Sequence, residues 1–375
     1  MKKRNALFCI VLAGMIGCWI YPHVTAAVEP IYVGVSAPFS KEYAEYGVSF
    51  EKGIRLALET INAAGGLQGQ PLELVVGDSE GDPNIAKRVA RKLTEDTRIV
   101  AVIGDFASSC SMAAQPFFHR TGMVQISPTS SHPSFAPGSP FSFSLPGTDE
   151  LLSTFMARAV VEKLQKKKVA VLYLNNDWGV AAQNIFITEV KRLGGEIVAV
   201  ESFLDQSTDF LPVLEKLRAA QPDLLYLFTQ LPDGKMILTQ RQQIGWDDVF
   251  VMGYVDFYSP TIFELDAGAR RNLYTSSLGF FPMSPRPEVQ TFVNNFETKY
   301  QEPPTQEAAL AYDALNLIAA AIKQAGTDHK AIRDALANLK DFPGVTGIMS
   351  FDQDGNVVKE YPILQVREKD FALVE

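Results

Sequence analysis

Short apolar runs with the composition of β-strands recur along the chain and alternate with stretches of helical spacing. Eight such runs are Ile31–Ser36, Leu72–Gly77, Ile99–Gly104, Met123–Ile126, Val169–Leu174, Glu196–Val200, Asp223–Phe228 and Val249–Met252. Between the first two runs, Phe50, Ile54 and Leu58 recur at a spacing that places them on one face of a helix. Strands that are apolar on both faces and separated by helices are typical of parallel sheet, so the pattern predicts an α/β fold.

The helix boundaries in this pattern carry their own signals. Asp82-Pro83 is typical of an N-cap followed by the first turn of a helix, and Gly194-Gly195 is typical of a helix end. Beyond the eighth run, the tail adds three helical patterns and two late strands, near 287–300, 306–325 and 328–339 and at Gly347–Phe351 and Tyr361–Val366.

These units allow two arrangements, one closed barrel or two open sheets. The passage Ser127–Thr148 lies between the fourth and fifth runs, and 16 of its 22 residues are Ser, Thr, Pro or Gly. Such an irregular passage is typical of a point where the chain leaves one domain for another. A closed barrel does not need the helices and strands that follow the eighth run, whereas two lobes can each include part of them. The sequence therefore predicts two doubly wound lobes of parallel sheet.

Residues 1–27 have the composition of a secretory signal peptide. A basic start precedes the apolar stretch Ala6–Ile20, and small residues at Ala26 and Ala27 offer a cleavage site. The stretch is shorter than the roughly 20 residues that span a bilayer, which argues against an uncleaved anchor. Met15-Ile16-Gly17-Cys18 resembles a lipoprotein box, so a lipid anchor at Cys18 stays open as an alternative. We predict an exported protein, periplasmic or otherwise extracytoplasmic.

The charge balance excludes several kinds of partner. The chain has 34 basic and 43 acidic residues and a formal net charge of −9. Without the three basic residues of the leader (Lys2, Lys3 and Arg4), residues 28–375 carry −12. A chain this acidic is a poor binder of nucleic acid and of anionic lipid. Because 47% of the residues are hydrophobic, disorder is excluded as the main state.

Polar and aromatic residues collect where the predicted strands end. Because ligands of open parallel sheets bind beyond the carboxyl ends of the strands, these loops are the candidate site. In the first half, Ser108 and Ser109 follow the third strand at a helix start, which suits a carboxylate. The second half offers aromatic and amide side chains, namely Trp178, Gln230, Tyr254 and Tyr258. Together they predict a cleft for a small molecule with a polar head and an apolar or planar body.

Motifs of catalysis are missing from the sequence. It has no nucleophile elbow, phosphate-binding loop, zinc-protease motif, redox cysteine pair or dinucleotide fingerprint. Cys110 is the one cysteine beyond the leader, so we expect no internal disulfide and a buried, unreactive thiol. The histidines are scattered, and His132 is interpreted as a turn residue rather than a base. We therefore expect neither an enzyme nor a metal or organic cofactor.

At this point the sequence resembles a known family. The segments Gly34-Val35-Ser36-Ala37-Pro38-Phe39-Ser40 and Ile61-Asn62-Ala63-Ala64-Gly65-Gly66-Leu67-Gln68-Gly69, followed in order by Asp82-Pro83, Val102-Ile103-Gly104, Ile126-Ser127-Pro128 and Ser259-Pro260, are similar to type I periplasmic binding proteins of the leucine/isoleucine/valine-binding class. The resemblance implies two α/β lobes joined by a three-strand hinge, at 28–147 plus 277–345 and 148–276 plus 346–375. It implies a monomer that closes on a small carboxylated solute and delivers it to an ABC permease. Sensing with the same fold, and amide, urea-like or aromatic acid ligands, stay open.

The resemblance also implies roles for individual residues. Ser108 matches the serine that holds the ligand carboxylate, while Thr129 and Ser131 match residues beside the carboxylate and amine. Many amino-acid binders of the class place an acid where this chain has Val255, with Asp256 next to it. Either the loop is shifted by one residue or the ligand has no α-ammonium, because a buried ammonium without an anion is costly. The expected ligand-binding residues, including pocket-wall positions and two positions often occupied by tyrosine, are Tyr46, Phe106, Ser108, Thr129, Ser131, Trp178, Gln230 and Asp256.

Overall fold

The computed structural model describes residues 28–358 and 361–374, so the predicted leader and Cys18 lie outside the described residues. The strands are β1 (Ile31–Ala37), β2 (Leu72–Asp78), β3 (Ile99–Gly104), β4 (Val124–Ser127), β5 (Ser142–Ser144), β6 (Lys168–Leu174), β7 (Glu196–Phe203), β8 (Leu224–Phe228), β9 (Phe250–Gly253), β10 (Leu273–Ser276), β11 (Phe342–Gly344), β12 (Gly347–Met349), β13 (Ile363–Val366) and β14 (Phe371–Leu373). The α-helices are α1 (Ala44–Ala63), α2 (Pro83–Glu95), α3 (Ser108–Thr121), α4 (Asp149–Arg158), α5 (Asp177–Arg192), α6 (Leu211–Ala219), α7 (Leu231–Gln243), α8 (Pro287–Tyr300), α9 (Gln306–Ala325) and α10 (His329–Ala337).

The first sheet is parallel and has helices on both faces. Its strand order is β2-β1-β3-β4-β5, and every position of β3 is buried. Val33, Ala101 and Ile103 pack with α1 and α9 on one face, while Ile99 and Val102 pack with α2 and α3 on the other. Strands buried on both faces explain the continuous apolar runs in the sequence. The predicted doubly wound arrangement is confirmed for this sheet.

The second sheet repeats the plan and adds an antiparallel edge. Its order is β14-β13-β10-β9-β8-β6-β7, in which the five strands β6 to β10 are parallel and β13 and β14 are antiparallel. Helices α4 and α5 cover one face, and α6 and α7 cover the other. The sequence predicted β13 as part of a longer strand, Tyr361–Val366, but not its direction. The two separate open sheets exclude the barrel arrangement.

The chain passes between the two sheets three times. The first passage joins β5 to α4, the second leads from β10 to α8, and the third returns the chain to β13. Before that return, α9 packs along α1 beside the first sheet. Asp313 of α9 accepts hydrogen bonds from the Val345 and Thr346 N–H groups, at 2.9 and 2.8 Å, and so fixes the β11–β12 turn against this helix.

Local sequence signals account for several of the element ends. The Asp82 carboxylate accepts hydrogen bonds from the Asn84 and Ile85 N–H groups at 2.7 and 3.1 Å, as an N-cap does. At the end of α5, Gly194 has a φ of +80°, a conformation that glycine adopts at no steric cost. Close packing of α1 on α9 requires glycine at Gly53, because a Cβ there would lie 2.0 Å from the Ala308 carbonyl oxygen.

Some predicted boundaries differ from the structure for physical reasons. The predicted strand Gly347–Phe351 is shorter, Gly347–Met349, and pairs with β11 in a separate hairpin. Strands β5 and β10 carry too few apolar residues to be recognised, and they form through pairing with the strands beside them, β4 for β5 and both β9 and β13 for β10. Of the helices in the described part of the chain, none combines the length and apolar character needed to cross a bilayer.

Candidate ligand-binding site

A cavity lies where the carboxyl ends of the two sheets face each other. Residues that follow β3 and β4 line it from one side, and residues that follow β6, β8 and β9 line it from the other. The space between the lining residues is about 490 Å³ when the part that is open to solvent is included. The lining consists of Phe106, Ala107, Ser108, Ser109, Thr129, Ser131, Pro146, Asn176, Trp178, Gln230, Tyr254, Val255, Asp256 and Leu278.

Most of the predicted site residues meet in this cavity. Ser108 of the first sheet's side and Trp178 of the second sheet's side line the same space, as do five further predicted residues. Tyr46 lies outside this lining. Its ring stacks on Phe106 with centroids 3.9 Å apart, and its hydroxyl accepts a hydrogen bond from the Leu231 N–H at 3.0 Å. Tyr46 therefore supports the cavity wall from behind and links the two sides.

One end of the cavity has the features of an anion site. Ser108 is the first residue of α3, the capping residue Ala107 provides no side-chain acceptor, and the first turn holds no acid. The first N–H groups of a helix lack partners within the helix, and the helix dipole favours negative charge there. The Ser108 hydroxyl oxygen accepts a hydrogen bond from the His132 N–H at 3.3 Å, which leaves its O–H free to donate. This end can therefore bind a carboxylate.

The hydroxyl groups of Thr129 and Ser131, the other two predicted residues of this kind, donate their protons to acceptors within the protein. Thr129 donates its O–H to the Phe106 carbonyl oxygen at 2.8 Å, and Ser131 donates to Asp149 Oδ1 at 2.8 Å. In this arrangement each hydroxyl oxygen can still accept a hydrogen bond. Their orientation thus suits a donor on the ligand, such as an ammonium, rather than its carboxylate.

Two further acceptors face the cavity from the second sheet's side. Gln230 is 8% exposed, and its Oε1 atom has no hydrogen-bond partner among the residues that the structure describes. Asp256 is 9% exposed and lies in the short 3-10 turn after β9. Burial raises the pKa of Asp256 well above its usual range, and Glu307 and Glu45 add to the rise by charge repulsion. A ligand cation placed here would relieve both effects.

The apolar part of the cavity is built from aromatic rings held at fixed angles. Trp178 meets Tyr254 edge to face, with centroids 4.9 Å apart and an interplanar angle of 69°. Phe106 faces them from the first sheet's side, and Leu278 contributes an aliphatic wall. Edge-to-face packing of buried rings favours one geometry over others, so the wall is preorganised for an apolar ligand group.

Sequence reasoning missed Asp149, which holds this wall together. Asp149 has no exposed surface, and its Oδ1 atom accepts hydrogen bonds from Ser131, Trp178 Nε1 and Tyr254 Oη at 2.8, 3.2 and 2.7 Å. The three donors come from both sides of the cleft. In sequence, Asp149 is an ordinary acid in the first turn of a helix, so no local signal distinguishes it.

We expect Asp149 to make stability depend on pH in mild acid. Burial raises its pKa to about 6, so the folded protein holds a proton that the unfolded chain releases near pH 4. The unfolded state then binds fewer protons, and stability falls by roughly 2 kcal/mol as the pH rises from about 4 to about 6. Asp149→Asn keeps the acceptor oxygen but cannot titrate, so it should lack this decrease.

Urea unfolding of the wild type and Asp149→Asn between pH 4 and pH 7 measures the effect. The difference in unfolding free energy should shift in favour of the variant up to about pH 6 and then stay constant. Buried acids that do not interact with Asp149 contribute equally to both proteins and cancel in the difference, whereas Asp256, whose pKa the charge of Asp149 raises, adds a smaller change of its own. The exposed Asp266→Asn serves as the control and should show no such shift. A difference that is the same at every pH would contradict the assignment to Asp149.

The buried cysteine behaves as the sequence predicts. Cys110 has no exposed surface and is a free thiol. Burial raises the pKa of this thiol far above its usual range, with repulsion from Asp105 adding to the rise. A thiol that stays protonated is a poor nucleophile, so Cys110 acts as a small apolar residue of the core.

Comparisons with known proteins agree with this geometry. A curated relative from Pseudomonas aeruginosa, a leucine-, isoleucine-, valine-, threonine- and alanine-binding protein, is 27% identical over 360 residues, with 95% of each chain covered. The branched-chain amino acid transporter substrate-binding protein of Streptococcus pneumoniae, solved in complex with isoleucine, has a TM-score of 0.85 and 30% identity, with 92% of this chain and 99% of that one covered.

A second solved structure gives a similar result. An ABC transporter substrate-binding protein from Desulfitobacterium hafniense, in complex with leucine, has a TM-score of 0.79 and 26% identity over 92% of this chain and 100% of that one. The family model described as periplasmic binding protein matches residues 30–371, which is nearly the whole described chain. The two sheets, the cleft between them and this match together show that the chain belongs to the periplasmic binding protein family.

Proposed function

We propose that this protein binds an α-amino acid with a branched aliphatic side chain in the cleft between its lobes. The observation that supports this proposal most directly concerns the lining of one cavity. It contains both the free O–H of Ser108, at a helix start without a side-chain cap, and the buried carboxyl group of Asp256. The ligand carboxylate would lie at Ser108 and the first N–H groups of α3. Its ammonium would lie between Asp256, Gln230 Oε1 and the two hydroxyls that donate within the protein. The side chain would pack on Phe106, Trp178 and Leu278.

The proposed placement favours a loop shifted by one residue, with Asp256 in the role of the acid, over a ligand without an α-ammonium. Asp256 lines the cavity and has the raised pKa of an acid that lacks a cation. The names of the relatives support the same ligand class, since they are reported to bind leucine, isoleucine and valine or were solved with isoleucine or leucine. In this reading the protein needs no cofactor and catalyses no reaction.

The proposal includes the place and partner of the protein. Residues 28–147 with 277–345 form one lobe, and 148–276 with 346–375 form the other. A ligand held by both lobes favours the closed form, which an ABC permease can distinguish from the open form. The protein would act as an exported monomer after removal of residues 1–27, free or attached through lipid at Cys18.

A thermal-shift screen tests the ligand class. Leucine, isoleucine or valine at about 100 times its dissociation constant should stabilise the protein by about 2.7 kcal/mol. The matched control is 4-methylpentanoate, which is leucine without its ammonium, and it should give a much smaller shift at the same concentration. A shift with benzoate, acetamide or urea but none with any of the three amino acids would overturn the proposal.

A further inference from the structure

Three carboxylates from separate segments meet at a second point where the two sides of the cleft touch. Glu42 lies between β1 and α1, Asp205 lies in the turn after β7, and Asp233 lies in the first turn of α7. One carboxylate oxygen of each residue lies within 4.8 Å of the other two. Tyr43 donates its hydroxyl to Asp205 Oδ1 at 2.5 Å, which adds a direct link across the same contact.

None of these three acids forms an ion pair with a basic side chain among the described residues. The ion pairs among the described residues involve other acids. Asp233 has no exposed surface, and its Oδ1 atom has no hydrogen-bond partner in the described part of the chain. Its Oδ2 atom accepts a long hydrogen bond from Thr229 at 3.4 Å. A buried carboxylate oxygen without a partner is costly to maintain.

Electrostatics agree with this geometry. Burial raises the pKa of Asp233 to about 7, and repulsion from Glu42 and Asp205 adds to the rise. Burial also raises the pKa of Glu42, with Asp205 contributing. Closing the cleft therefore brings like charges together, and closure becomes easier if a cation or a proton neutralises them.

The spacing of the three oxygens fits a single calcium-sized ion. Oxygens that ligate Ca²⁺ lie about 2.4 Å from it, so any two of them are at most about 4.8 Å apart. Carboxylate oxygens are the hard ligands that Ca²⁺ prefers, and it accepts irregular geometry and additional water. We propose that Glu42, Asp205 and Asp233 form a Ca²⁺ site that bridges the two lobes in the closed protein.

The bridging position couples the ion to the amino acid. Glu42 lies on the first lobe, whereas Asp205 and Asp233 lie on the second, so all three ligands converge only when the lobes are closed. A cation that binds the closed form must strengthen every other ligand of that form, and the strengthening is reciprocal. This coupling rests on the proposed function, whereas binding of Ca²⁺ itself does not.

Isothermal titration calorimetry on the protein after EDTA treatment tests both statements. Ca²⁺ should bind at one ion per chain, and saturating leucine should tighten its binding about fivefold or more. Leucine affinity should rise by the same factor when Ca²⁺ is present. Leucine binding in EDTA alone tests the proposed function separately, because it does not require the ion.

Two variants test whether the calcium binding and its effect on leucine come from this cluster. Glu42→Gln and Asp233→Asn should abolish the calcium heat and the calcium effect on leucine, while leucine binding in EDTA is no weaker than in the wild type. Glu80→Gln, on a neighbouring loop outside the cluster, is the matched control and should keep both effects. Absence of calcium binding by the wild type at millimolar CaCl₂, or calcium effects that persist in both variants, would overturn the site. Leucine affinity that rises in EDTA below pH 7 but ignores Ca²⁺ would instead assign the cluster to a shared proton.

Discussion

Asp256→Asn is expected to weaken leucine binding by roughly 30-fold or more, because it removes the buried anion that faces the ligand ammonium. Loss of one partner of a buried charge pair costs about 2–5 kcal/mol, and about 1.4 kcal/mol corresponds to a tenfold change. The substitution keeps the shape of the side chain, so the cavity wall should be preserved. Titration calorimetry with leucine measures the change in dissociation constant.

The pH dependence separates this role from a structural one. Asp256 has a pKa well above its usual range when no cation is near, since burial and the charges of Glu307 and Glu45 favour its protonated form. Binding an ammonium requires the ionised form, so binding releases a proton from Asp256, and this contribution makes leucine affinity rise as the pH rises. Burial also raises the pKa of Glu307 to about 7, but Glu307 remains in the variant. Asp256→Asn should therefore flatten much of this rise.

Two controls sharpen the result. The exposed Asp266→Asn removes a carboxylate from the same lobe and should leave leucine affinity unchanged. The second control is 4-methylpentanoate, whose weak binding should be nearly the same in the wild type and in Asp256→Asn. Equal weakening of both ligands would assign Asp256 to the architecture of the cleft and remove the support for an ammonium there.

The sequence contains enough information for the fold because the strands inside each sheet are buried on both faces. The runs at β1, β3, β6 and β8 are dominated by apolar residues that no exposed segment would carry, and N-caps such as Asp82 determine where helices begin. Strand β5 (Ser142–Ser144) has the composition of a loop. It becomes a strand through pairing with β4, a contact that no local pattern encodes.

The candidate site likewise contains some residues that the sequence predicts and others that it does not. Its position at the strand ends follows from topology, so residues such as Ser108 and Trp178 were found by locating the loops. Asp149 and the cluster around Asp233 depend on contacts between segments far apart in sequence. These contacts form only where the two sides of the cleft meet. A single sequence does not give the distance between the segments on the two sides.

Ser108→Ala should weaken leucine binding by about 1.5–3 kcal/mol, roughly 10- to 150-fold, because it removes a hydrogen bond to a charged group. Among the three hydroxyls predicted to bind the ligand, that of Ser108 has its O–H left to donate, since Thr129 and Ser131 donate to protein acceptors. The backbone N–H groups of α3 remain in the variant, so some carboxylate affinity should survive. The deficit should be similar for leucine, isoleucine and valine, which share the carboxylate and differ in the side chain.

The comparison of Ser108→Ala with a second serine variant isolates this hydrogen bond. Ser134→Ala changes an exposed serine that follows the nearby β4 strand, and it should bind leucine like the wild type. Leucinamide, which has no carboxylate, should bind weakly to the wild type and lose little further affinity in Ser108→Ala. Unchanged leucine affinity in Ser108→Ala would place the ligand anion elsewhere in the cleft. The placement of the ligand ammonium at Asp256 would then be wrong as well, because in a small ligand the position of the carboxylate determines the position of the ammonium.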